Sequence, residues 1–271
     1  MGGRLVRRRV STDGPRRRER WAEAAAGEDE YIVEMPRWRS DILHPVDIVE
    51  DVAIGIGYED LGVSISRQSD AGIPLAKMTL HRRIRESMQG QGLQQMQSLT
   101  LSSDDDQFTR VRLKPSGAVT RLTNPITHEH TVLRQNVLPA LLRLLAANRH
   151  HELPQRVFEL GTVVRDHRNE ERVAWAAAEV GGGFTAAKGM AQALLRDLGA
   201  HAQGLEVRFE ALREGDGPYL HGRGAKVYIA DEWVGCIGEV DPALADEFEL
   251  RVPIQAGEFD VGMLGRLIPD P

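Results

Sequence analysis

Four carboxylate side chains lie close together in the sequence around one predicted helix start. They are Asp41, Asp47, Glu50 and Asp51. The last three are spaced i, i+3 and i+4, which places their side chains on one helical face. Oxygen ligands without Cys or His suit Mg²⁺ better than Zn²⁺. The spacing therefore predicts a Mg²⁺ site, over which Asp41 would close from the preceding loop.

The same residues also have a purely structural interpretation. Acidic side chains near a helix N-terminus are favoured by the helix dipole. Val46, Val49 and Ile54 supply an ordinary apolar stripe on the same predicted helix. On the residues alone, a solvated acidic face and a metal site both remain open.

A short strand and a helix must position these carboxylates. The segment YIVEMPRW has strand character and is interrupted at Pro36, and the helix is predicted from about Pro45 to Ile56, where Gly57 ends it. A polar, glycine-containing passage from Gly62 to Gly72 then reads as a linker, which predicts a domain boundary near Ala71.

Residues 1–30 differ in composition from the rest of the chain. They are rich in arginine and poor in large apolar side chains, so they cannot bury enough surface to offset the entropy of ordering. We predict a disordered extension over 1–30, with some helix near Trp21, followed by a small domain over 31–71 and a larger one over 72–271. The arginine-rich arm could bind RNA phosphates, or it could be a non-native extension.

The larger domain begins with a predicted core helix after Pro74 and continues with short strand candidates at Gln95–Leu101 and Arg110–Leu113. A leucine-rich helix ending near Asn148 follows, and later helical and strand patterns interleave without strict βαβ alternation. The final strand candidate is IQAGEFDVGML. This order predicts an α+β domain on a mostly antiparallel sheet.

Composition excludes several classes of protein. The chain has 271 residues, a net charge of -6 and a single cysteine, Cys236, so a disulfide scaffold and a strongly basic nucleic-acid binder are both excluded. No apolar run has the length of a membrane span. We expect a cytoplasmic protein with no membrane partner.

Four collinear segments together resemble the β subunit of phenylalanyl-tRNA synthetase, of the archaeal and eukaryotic type, from about Tyr31 to the C-terminus. They are PRWRSDILHPVDIVEDVAIGIGY, TNPITHEHTVLRQNVLPALLRLLAANRHHELPQRVFELGTVV, HGRGAKVYIADEWVGCIGEVDP and GEFDVGML. The resemblance implies a winged-helix-like B5 module followed by a class II synthetase-like domain. Family members are longer, so the chain is expected to be a C-terminal fragment, and the editing activity of bacterial relatives is not carried over.

The resemblance also implies a metal and partners. The family's Mg²⁺ ligands correspond to Asp41, Asp47, Glu50 and Asp51. An α subunit would bind ATP and phenylalanine and would join this chain in an α₂β₂ assembly that binds tRNA(Phe). The contact is expected through Asn124, Pro125 and the helix from Arg134 to Ala147.

Catalytic motifs of class II synthetases are incomplete in this sequence. In the segment that corresponds to the family's first motif, Phe158 stands directly before Glu159, which departs from the order of that motif. The segment GGGFTAAKGMA corresponds to the second motif but lacks its terminal arginine. We therefore expect a catalytically silent domain and a non-catalytic ligase subunit. The alternative is a stand-alone synthetase-like module that binds RNA or protein. A DNA-binding winged helix is a fainter possibility, because residues 31–60 are acidic where phosphate contact needs a basic face.

Overall fold

The computed structural model describes residues 4–7, 22–26, 29–62 and 72–268. It divides the chain into two compact units, Met1–Ala71 and Gly72–Pro271. The sequence predicts a boundary near Ala71, and most of the predicted linker falls outside the described residues.

The first unit is a small antiparallel sheet with one helix. Its strands have the order β1-β3-β2, and they are β1 (Arg4–Arg7), β2 (Ala22–Ala26) and β3 (Asp29–Glu34). The predicted disorder of residues 1–30 is therefore wrong for β1 and β2, because backbone pairing with β3 orders them despite their composition. The rest of that prediction, including the helix near Trp21, lies outside the described residues.

Helix α1 (Pro45–Ile56) has the predicted bounds. Pro45 occupies its first turn, where a missing backbone N–H costs nothing, and a single 3₁₀ turn (Tyr58–Leu61) follows it. Gly57 ends the helix with φ of +99°, a conformation that favours glycine. None of the residues of α1 is buried.

The second unit is built on a seven-stranded sheet of order β4-β7-β8-β12-β11-β10-β9, antiparallel except for β4 beside β7. Its strands are β4 (Gln94–Gln95), β7 (Gln155–Arg165), β8 (Arg168–Ala178), β9 (Val207–Ala211), β10 (Tyr219–Ile229), β11 (Glu232–Val240) and β12 (Ile254–Asp260). Two further strands, β5 (Leu101–Ser102) and β6 (Val132–Leu133), pair separately. The predicted α+β class and mostly antiparallel sheet are confirmed.

Helices cover both faces of this sheet. They are α2 (Ala76–Gly90), α3 (Leu138–Ala147), α4 (Phe184–Asp197), α5 (Pro242–Glu247) and α6 (Val261–Leu267). On one face, α2, α4 and α6 bury Phe158, Trp175 and Phe259. On the other, α3 and α5 pack over small residues such as Ala174 and Ala176 of β8. Short side chains let a helix approach the sheet closely.

The structure differs from the predicted elements in three places. The predicted strand Gln95–Leu101 is not continuous, because residues 96–100 lie outside any strand between β4 and β5. Arg110–Leu113 is not a strand but follows a π-helical turn, Asp105–Thr109. The buried Asp106 carboxylate accepts from the guanidinium of Arg110, at i+4, with an N–O distance of 3.1 Å, which favours a helical turn. At the C-terminus, strand β12 stops at Asp260 because its carboxylate caps α6 through the N–H of Met263 at 2.8 Å.

Both edges of the seven-stranded sheet are short or charged. Strand β4 has only two residues at one edge. At the other edge, Arg208 and Glu210 of β9 form an ion pair at 2.9 Å, and the Arg208 guanidinium lies over the Tyr228 ring. These features hinder pairing with another strand.

Candidate functional site

The guanidinium of Arg39 lies between two of the four predicted metal ligands. Its Nη2 donates to Asp41 Oδ2 at 2.7 Å and to Asp51 Oδ2 at 3.0 Å. Its Nε makes further contacts of 2.9 and 3.0 Å with the two Asp41 oxygens. The hydrogen bonds to Asp41 and then Asp51 raise the pKa of Arg39, and Arg39 lowers the pKa of Asp41. A single guanidinium of the same segment is therefore paired with two of the four carboxylates.

Asp47 has a different role, at the start of α1. Its Oδ2 accepts from the backbone N–H of Leu43 and of His44, both at 2.7 Å. The His44 side chain in turn accepts from Val46 N at 3.2 Å, which completes a capping box. The hydrogen bonds from His44 and Leu43 lower the pKa of Asp47.

Glu50 is exposed and has no hydrogen-bond partner among the described residues. In the part of the chain that the structure describes, no three His, Cys, Asp or Glu side chains are grouped to hold a metal ion. The four carboxylates thus do not fit a ready-made Mg²⁺ centre as they are arranged. The sequence signal for this outcome is the basic residue Arg39, two positions before Asp41.

The Asp47 contact gives a pH-dependent prediction. Because the folded-state pKa is lowered from 3.8, the cap is fully stabilising above that ordinary value and is lost as pH falls through the lowered pKa. Asp47→Asn is expected to weaken protection of the Leu43 and His44 amides against hydrogen exchange at pH 6. Glu50→Gln removes the same charge from the same helix and is expected to leave these amides unchanged. Equal loss in both variants would contradict the capping role.

In the second unit, the segment that resembles the first synthetase motif is committed to internal contacts. Arg156 of β7 pairs with Glu179, with 2.9 Å between Nε and Oε2. Phe158 is fully buried, and Glu159 is buried against Arg134. Lys188, in the glycine-containing second motif candidate, lies on α4 with its Nζ 4.8 Å from the Phe209 ring centroid.

A buried polar network, which sequence reasoning missed, surrounds Arg134. Its guanidinium donates to Glu159 Oε1 at 2.7 Å, to Ser98 Oγ at 2.7 Å and to the carbonyl of Thr162 at 2.9 Å. Glu159 also accepts from the Ser98 hydroxyl at 2.5 Å. The exposed fraction is 2% for the Arg134 side chain and 0% for that of Glu159. The network is closed, so it offers no group to a ligand.

Helix α3 is held on the sheet by a carboxylate of β12. Glu258 Oε2 accepts from the backbone N–H of Val137 at 3.0 Å and of Leu138 at 2.9 Å, groups that a helix start leaves unpaired. Leu141 and Leu142 are fully buried in the core beneath. The sheet of the same chain therefore covers the apolar face of this helix. Contact of the helix with a partner chain stays a prediction.

An open cleft of about 1010 Å³ lies between the first half of α2, the start of β8 and α6. Inside it, Glu171 accepts from Lys77 Nζ at 2.8 Å and pairs with the buried His81 at 2.9 Å. Leu75 and Met78, just before and within α2, are 71% and 46% exposed. Leu75 and Met78 do not line the cleft, and they form a separate exposed apolar pair at the start of α2.

Two further observations concern the described residues. None of their helices is long and apolar enough to cross a membrane. Cys236 of β11 is a free cysteine, and burial raises the pKa of its thiol to about 11. It is therefore a neutral thiol at physiological pH and a poor nucleophile.

Two family models match the chain. The model described as "Phenylalanyl tRNA synthetase beta chain CLM domain" matches residues 63–261. The "tRNA synthetase B5 domain" model matches residues 20–58 and so begins inside the stretch predicted as an extension.

Curated relatives from archaea match along most of the chain. A phenylalanine–tRNA ligase beta subunit of Methanothrix thermoacetophila is 32% identical over 91% of this chain and 44% of its own length. Those of Archaeoglobus fulgidus and Pyrococcus horikoshii are 33% and 32% identical over 84% and 83% of this chain. The chain thus spans less than half the length of these relatives.

Among solved structures, a pyrrolysyl-tRNA synthetase of Desulfitobacterium hafniense has a similar fold. The TM-score is 0.55 with 16% sequence identity, and the match covers 69% of this chain and 66% of that one. At this identity the likeness concerns the fold alone.

Proposed function

Because the chain belongs to the phenylalanyl-tRNA synthetase beta-chain family, we propose that it acts as a non-catalytic β subunit in the attachment of phenylalanine to tRNA(Phe). The observation that carries this proposal is the family match over residues 63–261. The alternative, a stand-alone RNA- or protein-binding module, is not favoured, since the matched curated relatives are β subunits.

In this proposal the chemistry belongs to an α subunit. ATP and phenylalanine bind there, and tRNA(Phe) binds to the joint α₂β₂ assembly. Two observations support this assignment of roles. Arg156 and Glu159 of β7 are paired inside the chain. Helix α3 packs on one face of the sheet and covers it there. In this proposal, a class II-like domain whose motif residues are paired internally is catalytically silent but still provides a rigid scaffold for the assembly.

We propose the first unit as a B5 module related to the winged helix and the second as the silent domain. The B5 match over residues 20–58 supports the former. A cytoplasmic location is also proposed, which agrees with the single free cysteine.

The surface proposed for α-subunit contact is the exposed apolar pair at the start of α2, Leu75 and Met78, which adjoins the cleft-lining residues in sequence. Exposed apolar patches mark interaction sites when they are contiguous. Glu171 forms an ion pair with Lys77 and a hydrogen bond with His81, and Glu171 and Lys77 both line the cleft. The earlier candidate, α3, lacks an available apolar face.

The test is co-expression with the α subunit of the same organism, followed by size exclusion and a tRNA-dependent phenylalanine attachment assay. Co-elution with activity is expected for the unaltered chain. Absence of co-elution would overturn the β-subunit proposal for this chain.

The contact surface has its own variants. Leu75→Asp combined with Met78→Asp is expected to weaken co-elution at least about tenfold, because a buried unpaired charge is costly at an interface. Val180→Asp places one such charge at another apolar position, 83% exposed, and is expected to co-elute normally. Loss of association in the control, or its retention in the double variant, would remove the Leu75 and Met78 surface from the proposal.

Binding of Mg²⁺ at Asp41, Asp47, Glu50 and Asp51 stays a prediction. It requires a rearrangement, since Arg39 holds Asp41 and Asp51 and Asp47 caps α1. Asp47→Asn with Asp51→Asn is expected to abolish any Mg²⁺-dependent rise in melting temperature. An unchanged rise would rule out this site.

A further inference from the structure

Three side chains form a row across the outer strands of the seven-stranded sheet. Arg208 of β9 pairs with Tyr228 of β10, and Tyr228 pairs with Trp233 of β11. Directly paired residues of antiparallel strands project from the same face of a sheet, so the three side chains are neighbours. We infer that this row is a docking site for an arginine side chain of a partner protein, which stacks on the Trp233 indole.

The face that carries the row is left open by the helices of the second unit. On the opposite face, Phe209 and Val227 of the same strands are packed in the core with α4. On the face of the row, the apolar cluster beneath α3 and α5 contains no described residue of β9, and it takes only Tyr219 from β10 and Val240 from β11. Those two residues pair with each other at the far end of the two strands, so the row lies beyond this cover.

One ring of the row already holds a cation. The guanidinium carbon of Arg208 lies 4.4 Å from the centroid of the Tyr228 ring. Two carboxylates hold the guanidinium there, Glu210 at 2.9 Å and Asp231 at 3.4 Å. The surface therefore contains one complete pair of guanidinium and ring, with carboxylates beside it.

The neighbouring ring, that of Trp233, is suited to a second guanidinium. It is 48% exposed, and its indole N–H donates to the carbonyl of Gly235 at 2.8 Å, which fixes the ring in place. No cation lies over this ring in the part of the chain that the structure describes. Tryptophan attracts a cation more strongly than the other aromatic side chains, and a fixed ring loses little conformational freedom on binding.

The charges of this face favour an arginine over a phosphate backbone. The side chain of Asp231 is 93% exposed and lies two positions before Trp233. Its contact with Arg208 is long, so a carboxylate oxygen is available to a second guanidinium. The cations Arg208 and Lys226 are matched by Glu210 and Asp231, and Lys226 lies opposite Glu210 in register. The face thus has no excess positive charge with which to bind RNA.

This docking site is distinct from the Leu75 and Met78 surface, and it does not require that the chain supports aminoacylation. Arginine is expected rather than lysine, because a planar guanidinium stacks on an aromatic face as well as pairing with a carboxylate. The partner would contact the sheet face through side chains and would not extend the edge of the sheet.

The test follows the indole N–H resonances of the full chain by ¹H–¹⁵N NMR while a tetra-arginine peptide is added. The Trp233 signal, identified by its loss in Trp233→Phe, is expected to shift saturably, with an affinity at least about threefold higher than for tetralysine. Asp231→Asn is expected to weaken this binding about threefold. Glu232→Gln removes the next carboxylate, which pairs with the buried Ile229 on the other face, and is expected to leave the binding unchanged.

Trp38 reports any general attraction of the peptide to an acidic chain. It is 71% exposed in the first unit, and its signal is expected to move far less than that of Trp233. Equal responses of the two tryptophans, or equal weakening in Asp231→Asn and Glu232→Gln, would overturn the inference. A shift of the Trp233 signal with octauridylate but not with tetra-arginine would overturn it in favour of RNA.

Discussion

Arg134→Met is expected to lower the free energy of unfolding of the second unit by about 3–5 kcal/mol. Arg134 and Glu159 are buried together, and removing one partner leaves the other charged and dehydrated. Glu159 would retain only its contacts with the backbone and hydroxyl of Ser98. Urea unfolding followed by tryptophan fluorescence measures the loss.

A double variant separates the ion pair from the packing. Arg134→Met with Glu159→Leu removes both charges, and it is expected to regain a large part of the lost stability, since apolar replacement of a whole buried pair is often neutral. Arg82→Met is the control, because Arg82 pairs with Glu86 at the surface and should cost little. A double variant no better than Arg134→Met would contradict the account.

Trp175→Ala is expected to destabilise the second unit by about 3–5 kcal/mol. The indole is fully buried in β8, meets the Phe259 ring edge-on at 5.2 Å between centroids, and lies directly over Gly257 of β12. Truncation would leave a large cavity in the core that joins α2, α4 and α6 to the sheet.

Trp233 provides the matched control in the same sheet. It is 48% exposed, and its indole N–H donates to the carbonyl of Gly235 at 2.8 Å. Trp233→Ala is expected to cost under about 1 kcal/mol. Equal costs for the two tryptophans in urea unfolding would show that burial does not set the energy of this sheet.

Long periodic elements could be predicted from the sequence. Helix α1 has its predicted bounds because proline and glycine mark its two ends. In α2, the stripe of Leu80, Ile84 and Met88 is buried as its i, i+4 spacing requires. Such signals are local, and the backbone forms the predicted element where tertiary contacts do not oppose it.

What could not be predicted depends on contacts between distant residues. The pairing of Arg134 with Glu159 joins residues 25 apart, and neither residue type indicates a buried partner. The cap of α3 comes from Glu258, 120 residues from Leu138. The predicted metal site rests on the spacing of the carboxylates, which correctly places Asp47, Glu50 and Asp51 on helix α1. That spacing contains no information on Arg39 or on the backbone N–H groups that hydrogen-bond to the same carboxylate oxygens.

The short edge strand β4 and the charged edge strand β9 of the seven-stranded sheet also restrict how the second unit can assemble with a partner. A partner cannot extend the sheet easily, because β4 offers two residues and β9 offers Arg208 and Glu210. Strand addition, with its repeated and sequence-tolerant backbone pairing, is therefore a poor route to a complex. For the second unit, recognition is then expected to depend on side chains of helices, loops and the open sheet face, and a single substitution there can decide which chain is accepted.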